Sequence, residues 1–291
     1  MDNSHKTGYI FAITAFVLWG LAPIYFKAIS NVSPFEIVAH RAVWSALFLG
    51  GILYIGNRNF IRELIDDLSQ EFWLLLLAAL LLTSNWLVFI YAISSGRILE
   101  ASLGYYINPL LNVALGALLL NERFSVLQKI AIGLAITGVA QEVFRFGQLP
   151  WISLFLASSF AVYGFIRKHV KTGGAEGLLV ETLIMLPFAV AYLVYLNNEM
   201  TLSFYYSGLS TSVLLFLAGI VTSLPLIFFI GASKRIKYST LGLFQYIGPT
   251  LMGVLGYYFY DETFPPGRLI TFALIWAGLS LTIIESVKKH S

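Results

Sequence analysis

The chain holds two copies of one pattern set 140 positions apart. Residues 75–143 lie on residues 215–283 without a gap. Ala78, Phe89, Ile90 and Ala92 recur as Ala218, Phe229, Ile230 and Ala232. Leu103, Tyr106, Ile107, Pro109, Leu115, Gly116, Glu122, Phe124 and Gly138 recur as Leu243, Tyr246, Ile247, Pro249, Leu255, Gly256, Glu262, Phe264 and Gly278. Apolar identities arise easily in a chain this apolar. A proline, several glycines and a glutamate held in one register do not. The chain is a tandem duplication, with halves at 1–146 and 147–291.

Composition decides where such a chain can live. Of 291 residues 58% are hydrophobic and 11% charged, against about 25% charged in an ordinary soluble domain. The polar surface that a soluble core of this size requires is missing. There is no cysteine, hence no thiolate chemistry, and a net charge of +3 spread over short loops does not suggest nucleic acid. The expected fold class is an all-α membrane protein.

Apolar runs bounded by charge, Pro or Gly give ten candidate spans, at 8–29, 34–56, 72–94, 100–120, 126–143, 150–168, 177–196, 210–232, 239–260 and 267–287. The first is too long for a cleavable signal and is read as a retained span. Lys and Arg fall unevenly between alternate connections. One set collects Lys6, Arg58, Arg62, Arg123, Arg167, Lys168, Lys171, Lys234, Arg235, Lys237, Lys288 and Lys289; the other holds Lys27, Arg97, Arg145 and Arg268. The bias puts both termini on the cytoplasmic side of the inner membrane. Five spans per repeat is an odd number, so the second copy enters from the opposite side. The expectation is ten transmembrane helices as two inverted five-helix repeats, an arrangement that recurs in transporters with a site at the repeat interface.

Polar groups inside these spans mark candidate sites, because a charge at the bilayer centre costs about 2.5–3.5 kcal/mol on insertion scales. Span two carries Glu36, His40 and Arg41, and span seven carries Glu181 and Thr182. Arg41 or His40 would orient an anionic or polar substrate group, and His40 and Glu181 are the candidates for proton coupling. Asn85, Asn108 and Gln245 would supply neutral hydrogen bonds, and Trp19, Trp86, Tyr105, Tyr163 and Tyr246 aromatic walls. Pro109 and Pro249 should kink their helices and free the carbonyls of Tyr105 and Gln245. Glu122 and Glu262 read as acids at a helix start, and Gly116, Gly138, Gly256 and Gly278 as close helix contacts. Neither catalytic motifs nor clustered metal ligands are present, so neither an enzyme nor a cofactor is expected. The partners implied are a small-molecule substrate, protons and the lipid bilayer.

These residues resemble a known family. The turn Asn121-Glu122-Arg123-Phe124 with Gly138 downstream is similar to the EamA-type repeats of the drug/metabolite transporters. Trp19-Gly20, His40-Arg41, Asn85-Trp86, Glu100 to Tyr105, Ile107-Asn108-Pro109, Glu181-Thr182 and Gln245 to Thr250 resemble the RarD-type permeases, the "chloramphenicol-sensitive protein" branch. The resemblance implies a permease with a central cavity between repeats, moving a small amphipathic metabolite or drug-like molecule by alternating access. The rival expectation is a membrane protein that transports nothing, such as a lipid-handling or assembly factor, with its polar groups along a lateral groove.

Overall fold

The computed structural model describes residues 3–56, 60–94, 97–146, 151–259 and 267–288. They form α1 (Asn3–Ala28), α2 (Pro34–Gly56), α3 (Phe60–Ser94), α4 (Ile98–Leu119), α5 (Val126–Phe146), α6 (Trp151–His169), α7 (Gly174–Asn198), α8 (Ser203–Tyr206), α9 (Leu209–Ser233), α10 (Tyr238–Phe244), α11 (Ile247–Phe259) and α12 (Arg268–Lys288). Among the described residues there is no strand. Helices suit this sequence because in lipid each backbone N–H and C=O must find a partner within its own segment. Among the described residues five segments are long and apolar enough to cross a membrane: His5–Ala28, Pro34–Gly56, Glu71–Phe89, Gly174–Asn198 and Leu209–Ser233. Leu103–Leu119, Val126–Gln141 and Leu269–Gly278 are shorter apolar helices.

Two elements differ from the sequence reading. The segment 57–71 was expected to be a loop, yet α3 runs unbroken from Phe60 to Ser94. No Gly or Pro interrupts that stretch, so charge alone ends nothing. The ninth span divides into α10 and α11 at Gln245–Tyr246. Pro249 is therefore the third residue of α11, where an amide has no partner in its own helix anyway. The carbonyl of Gln245, expected to be free, accepts the Gly248 amide at 3.2 Å. Pro109, by contrast, sits inside the continuous α4.

Packing runs through a few close approaches. α2 packs on α7 and α9, α1 on α9 and α11, α4 on α6 and α10, and α5 on α12. At the α5–α12 crossing Gly138 faces the Thr271 carbonyl and Gly278 faces that of Ala131. The pairs 138/271 and 131/278 run in opposite directions and exchange repeat positions. Tyr246 likewise donates its hydroxyl to the carbonyl of its own counterpart, Tyr106, at 3.2 Å. The largest buried cluster gathers Phe16, Tyr163, Leu226, Phe229, Tyr238 and Phe244 from α1, α6, α9 and α10.

Glu122 caps a helix, but one in the other half of the chain. Asn121 takes a left-handed φ of 50°, which Asn tolerates better than most residues, and the turn aims the next carboxylate across the molecule. That carboxylate accepts the amides of Tyr238 (2.8 Å) and Ser239 (3.1 Å) and the Ser239 hydroxyl (2.5 Å), closing the start of α10. The start of α5 is instead capped by Ser125 and Gln128, each accepting the other's amide at 3.1 Å. Glu262 lies outside the described residues.

Candidate functional site

A cavity of about 290 Å³ opens between α2, α3 and α7. The register of α2 turns Val38, Arg41, Ala42 and Ser45 to it, and α3 contributes Ala79, Leu82, Thr83 and Trp86. From α7 come Leu178, Glu181, Thr182, Met185 and Ala189. Phe35, Phe188, Leu87 and Tyr192 form the rim, where Phe188 is 70% exposed. The walls are apolar and aromatic, and the acidic and basic side chains lining the space are Glu181 and Arg41.

The two charges are held differently. The Arg41 guanidinium lies 4.3 Å from the centre of the Trp86 ring, the geometry of a cation–π contact. Glu181, buried on α7, is 3.3 Å from Nε of Arg167 and accepts the Tyr163 hydroxyl at 3.2 Å. Arg167 is fully buried and also donates to the Gly173 carbonyl at 2.9 Å. Gly177 makes room for it, since a Cβ there would lie 2.2 Å from a guanidinium nitrogen.

Arg167 is the charge beside this site that the sequence alone does not reveal. The charge bias groups it with a connection at the end of span six; in the fold the last turn of α6 carries it and the protein encloses it completely. The signal available was the acid: a buried Glu181 requires a cation, and Arg167 closes the preceding helix.

The remaining expected site residues are engaged elsewhere. His40 is buried with its ring stacked on Phe204 at 4.9 Å and Nε2 3.8 Å from Glu36, and neither ring nitrogen makes a hydrogen bond. Glu36 accepts the Phe204 amide at 3.2 Å. Trp19 meets Phe16, Phe160 and Phe229 at 5.7–5.8 Å. Asn85 donates to the Leu156 carbonyl and the Ser159 hydroxyl, both at 2.9 Å, tying α3 to α6. Asn108 ties α4 to α6 through the Ala157 carbonyl at 2.6 Å. One turn on, the fully buried Asn112, which the sequence reading passed over, donates to Gln245 at 2.5 Å across the α10–α11 break. Tyr105 is 41% exposed, edge-on to Phe89. Among the described residues no group of three or more His, Asp or Glu side chains could hold a metal ion.

A chain of apolar helices around a cavity with two deep charges matches known proteins throughout its length. The profile of the EamA-like transporter family matches residues 6–141. An "uncharacterized transporter" of Vibrio cholerae is 46% identical over 97% of this chain and 94% of its own length. The "Protein RarD" of Escherichia coli K12 is 42% identical over 97% of this chain and 95% of its own length. This chain belongs to the EamA-like transporter family. Within that family it is RarD-like. A solved crystal structure 18% identical in sequence superposes with a TM-score of 0.70, covering 95% of this chain and 97% of the other, so the fold is shared. The family membership accounts for the apolar helices and marks the protein as a multi-pass membrane protein of transporter type.

Proposed function

We propose that the protein is a secondary transporter of the inner membrane that moves a small amphipathic molecule by alternating access. The observation that carries this is the α2–α3–α7 cavity, which presents Arg41 and Glu181 to an apolar, aromatic-lined space of the size small ligands use. Ten spans in two inverted five-helix repeats are the architecture behind the proposal, with α10 and α11 together making the ninth span. The exchanged contacts at 138/271 and 131/278 support a two-fold relation between the halves. With the amino terminus inside, α2 runs inward and α7 outward, so the rim at Phe35 and Tyr192 faces the periplasm. Glu181, enclosed with Arg167 and Tyr163, is the candidate to carry a proton between the two states. His40 is the alternative candidate, away from this cavity.

Reconstitution in liposomes under an imposed pH gradient tests the reading. Labelled aromatic metabolites, amino acids and amphenicols are to be screened for flux absent from empty liposomes. Flux that follows the gradient is expected, with Glu181→Gln retaining binding and losing the gradient dependence. The exposed Phe188 on the rim favours a second reading, a lipid-handling protein with a lateral groove. Dithionite quenching of labelled phospholipid in the same liposomes separates the two: scrambling without solute flux would replace transport.

A further inference from the structure

We infer that the α2–α3–α7 cavity selects an organic monoanion with a flat apolar body, with Arg41 as its anion-binding residue. The inference rests on the transport reading for its physiological meaning, but its evidence is local. Counting charge at the cavity leaves one cation over. Glu181 is matched by Arg167, with which it makes a buried ion pair at 3.3 Å, and it also takes a hydrogen bond from Tyr163. Arg41 has no carboxylate within ion-pair distance and makes no hydrogen bond among the described residues; its one close partner is the Trp86 ring. A guanidinium carries five N–H donors in a planar fork that suits a carboxylate or phosphate. A tryptophan face satisfies none of them. The contact with the ring holds the guanidinium at Trp86 and leaves its donors unused beside an apolar space.

His40, the other cation candidate, does not compete for this role. It packs against Phe204 and Glu36 and does not line the cavity. The wall offers a flat ligand the Trp86 ring edge, Leu82, Met185 and the rim phenylalanines. The site's chemistry is therefore one anionic group at Arg41 and an apolar plane beyond it. A soluble carboxylate and an anionic lipid headgroup share that chemistry, and competition by anionic lipid distinguishes the two.

Equilibrium dialysis of the purified full-length protein decides the matter with three compounds of one shape: indole-3-acetate, indole-3-acetamide and tryptamine. Indole-3-acetate should bind about tenfold or more tighter than the amide, the scale of a charge-assisted hydrogen bond set in an apolar site, and tryptamine should bind weakest. Arg41→Gln should make acid and amide equal, whereas Arg41→Lys should keep part of the preference. Thermal unfolding of each variant checks that it folds. Equal binding of acid and amide by the native protein, a preference surviving Arg41→Gln, or no binding of any of the three would overturn the inference. The same dialysis in nanodiscs of phosphatidylcholine with and without phosphatidylglycerol should give one affinity; competition by the anionic lipid would assign the site to a headgroup and also overturn it. Acid-selective binding in a protein without flux would instead sink the transport reading and leave the anion site standing. Flux of a cationic solute without acid preference would do the reverse.

Discussion

On one side of the α2–α7 pair, α9 packs so closely that a Cβ at Gly219 would lie 2.4 Å from the Trp44 carbonyl carbon and 2.5 Å from the Ser45 amide. On the other side α3 stands off from α7, and the cavity fills the gap. These two faces occupy equivalent places in the duplication. Ala79 corresponds to Gly219, Thr83 to Ser223, Trp86 to Leu226 and Arg41 to Glu181, each pair 140 positions apart. One face is sealed and the other open. The residues suggest the reason. Glycine lets α9 reach the backbone of α2, while the methyl of Ala79 and the indole of Trp86 hold α3 away. Arg41 and Glu181 both line the open face.

The comparison breaks most severely at the charges beneath the open face. Removing one member of a buried pair leaves the other uncompensated, at a cost of about 3–5 kcal/mol. Arg167→Met should therefore lower the unfolding free energy in detergent by that much. Adding Glu181→Met should recover most of it, because the stranded carboxylate is gone. A loss in Arg167→Met of under about 1 kcal/mol would remove the pair from the fold's essential contacts. The counterpart of Glu181 offers a contrast: Arg41 lies on Trp86 beside a cavity, so Arg41→Met should cost well below the Arg167 value.

How much of this was legible depended on the kind of signal. The duplication, the helical class and the family were readable because periodicity, length and matched Pro and Gly positions are properties of the chain itself. Arg41 and Glu181 stand out in the sequence as charges inside spans and Trp86 as an aromatic wall, and all three line one cavity. Side-chain partnership was not readable. Arg167 reads as a charge at a connection, because only its ion pair with Glu181 in the folded chain reveals its burial. Glu122 looked like a cap for the helix that follows it, yet it caps α10 more than a hundred residues away. The α10–α11 break was hidden because Gln245–Tyr246 carries no Gly or Pro, and Pro249 marks the restart of the helix rather than its interruption.

A smaller effect separates the two faces by sterics. Gly219→Ala must push α2 and α9 apart, since the atoms it meets are backbone and cannot rotate away; overpacking of this kind costs about 1–3 kcal/mol. It should also unseal that face. The chain has no cysteine, so a single Ser223→Cys reports cleanly. The Ser223→Cys thiol should resist a membrane-impermeant maleimide alone and react when combined with Gly219→Ala. Ala79→Gly at the matching position should do the opposite, lowering the reactivity of Thr83→Cys as α3 closes on α7. Equal reactivity at both faces in the otherwise native protein would end the comparison.

The smallest effect concerns hydroxyls at the sealed face. Ser45 donates to the Gly219 carbonyl at 3.2 Å and accepts the Ser223 hydroxyl at 2.8 Å, so α2 and α9 share two hydrogen bonds at one buried point. Each such bond contributes about 0.5–1.5 kcal/mol net. Ser45→Ala should cost about 1 kcal/mol, because removing one partner leaves the Ser223 hydroxyl searching for another acceptor. Ser45→Ala with Ser223→Ala should cost little more, since the pair then vanishes together. Across the pseudo-symmetry Thr83, the counterpart of Ser223, lines the cavity, and Thr83→Val should change stability by less than about 0.5 kcal/mol. Should Thr83→Val prove as costly as Ser45→Ala, the α3 face would be carrying closure contacts of its own, and the contrast between the two faces would fall.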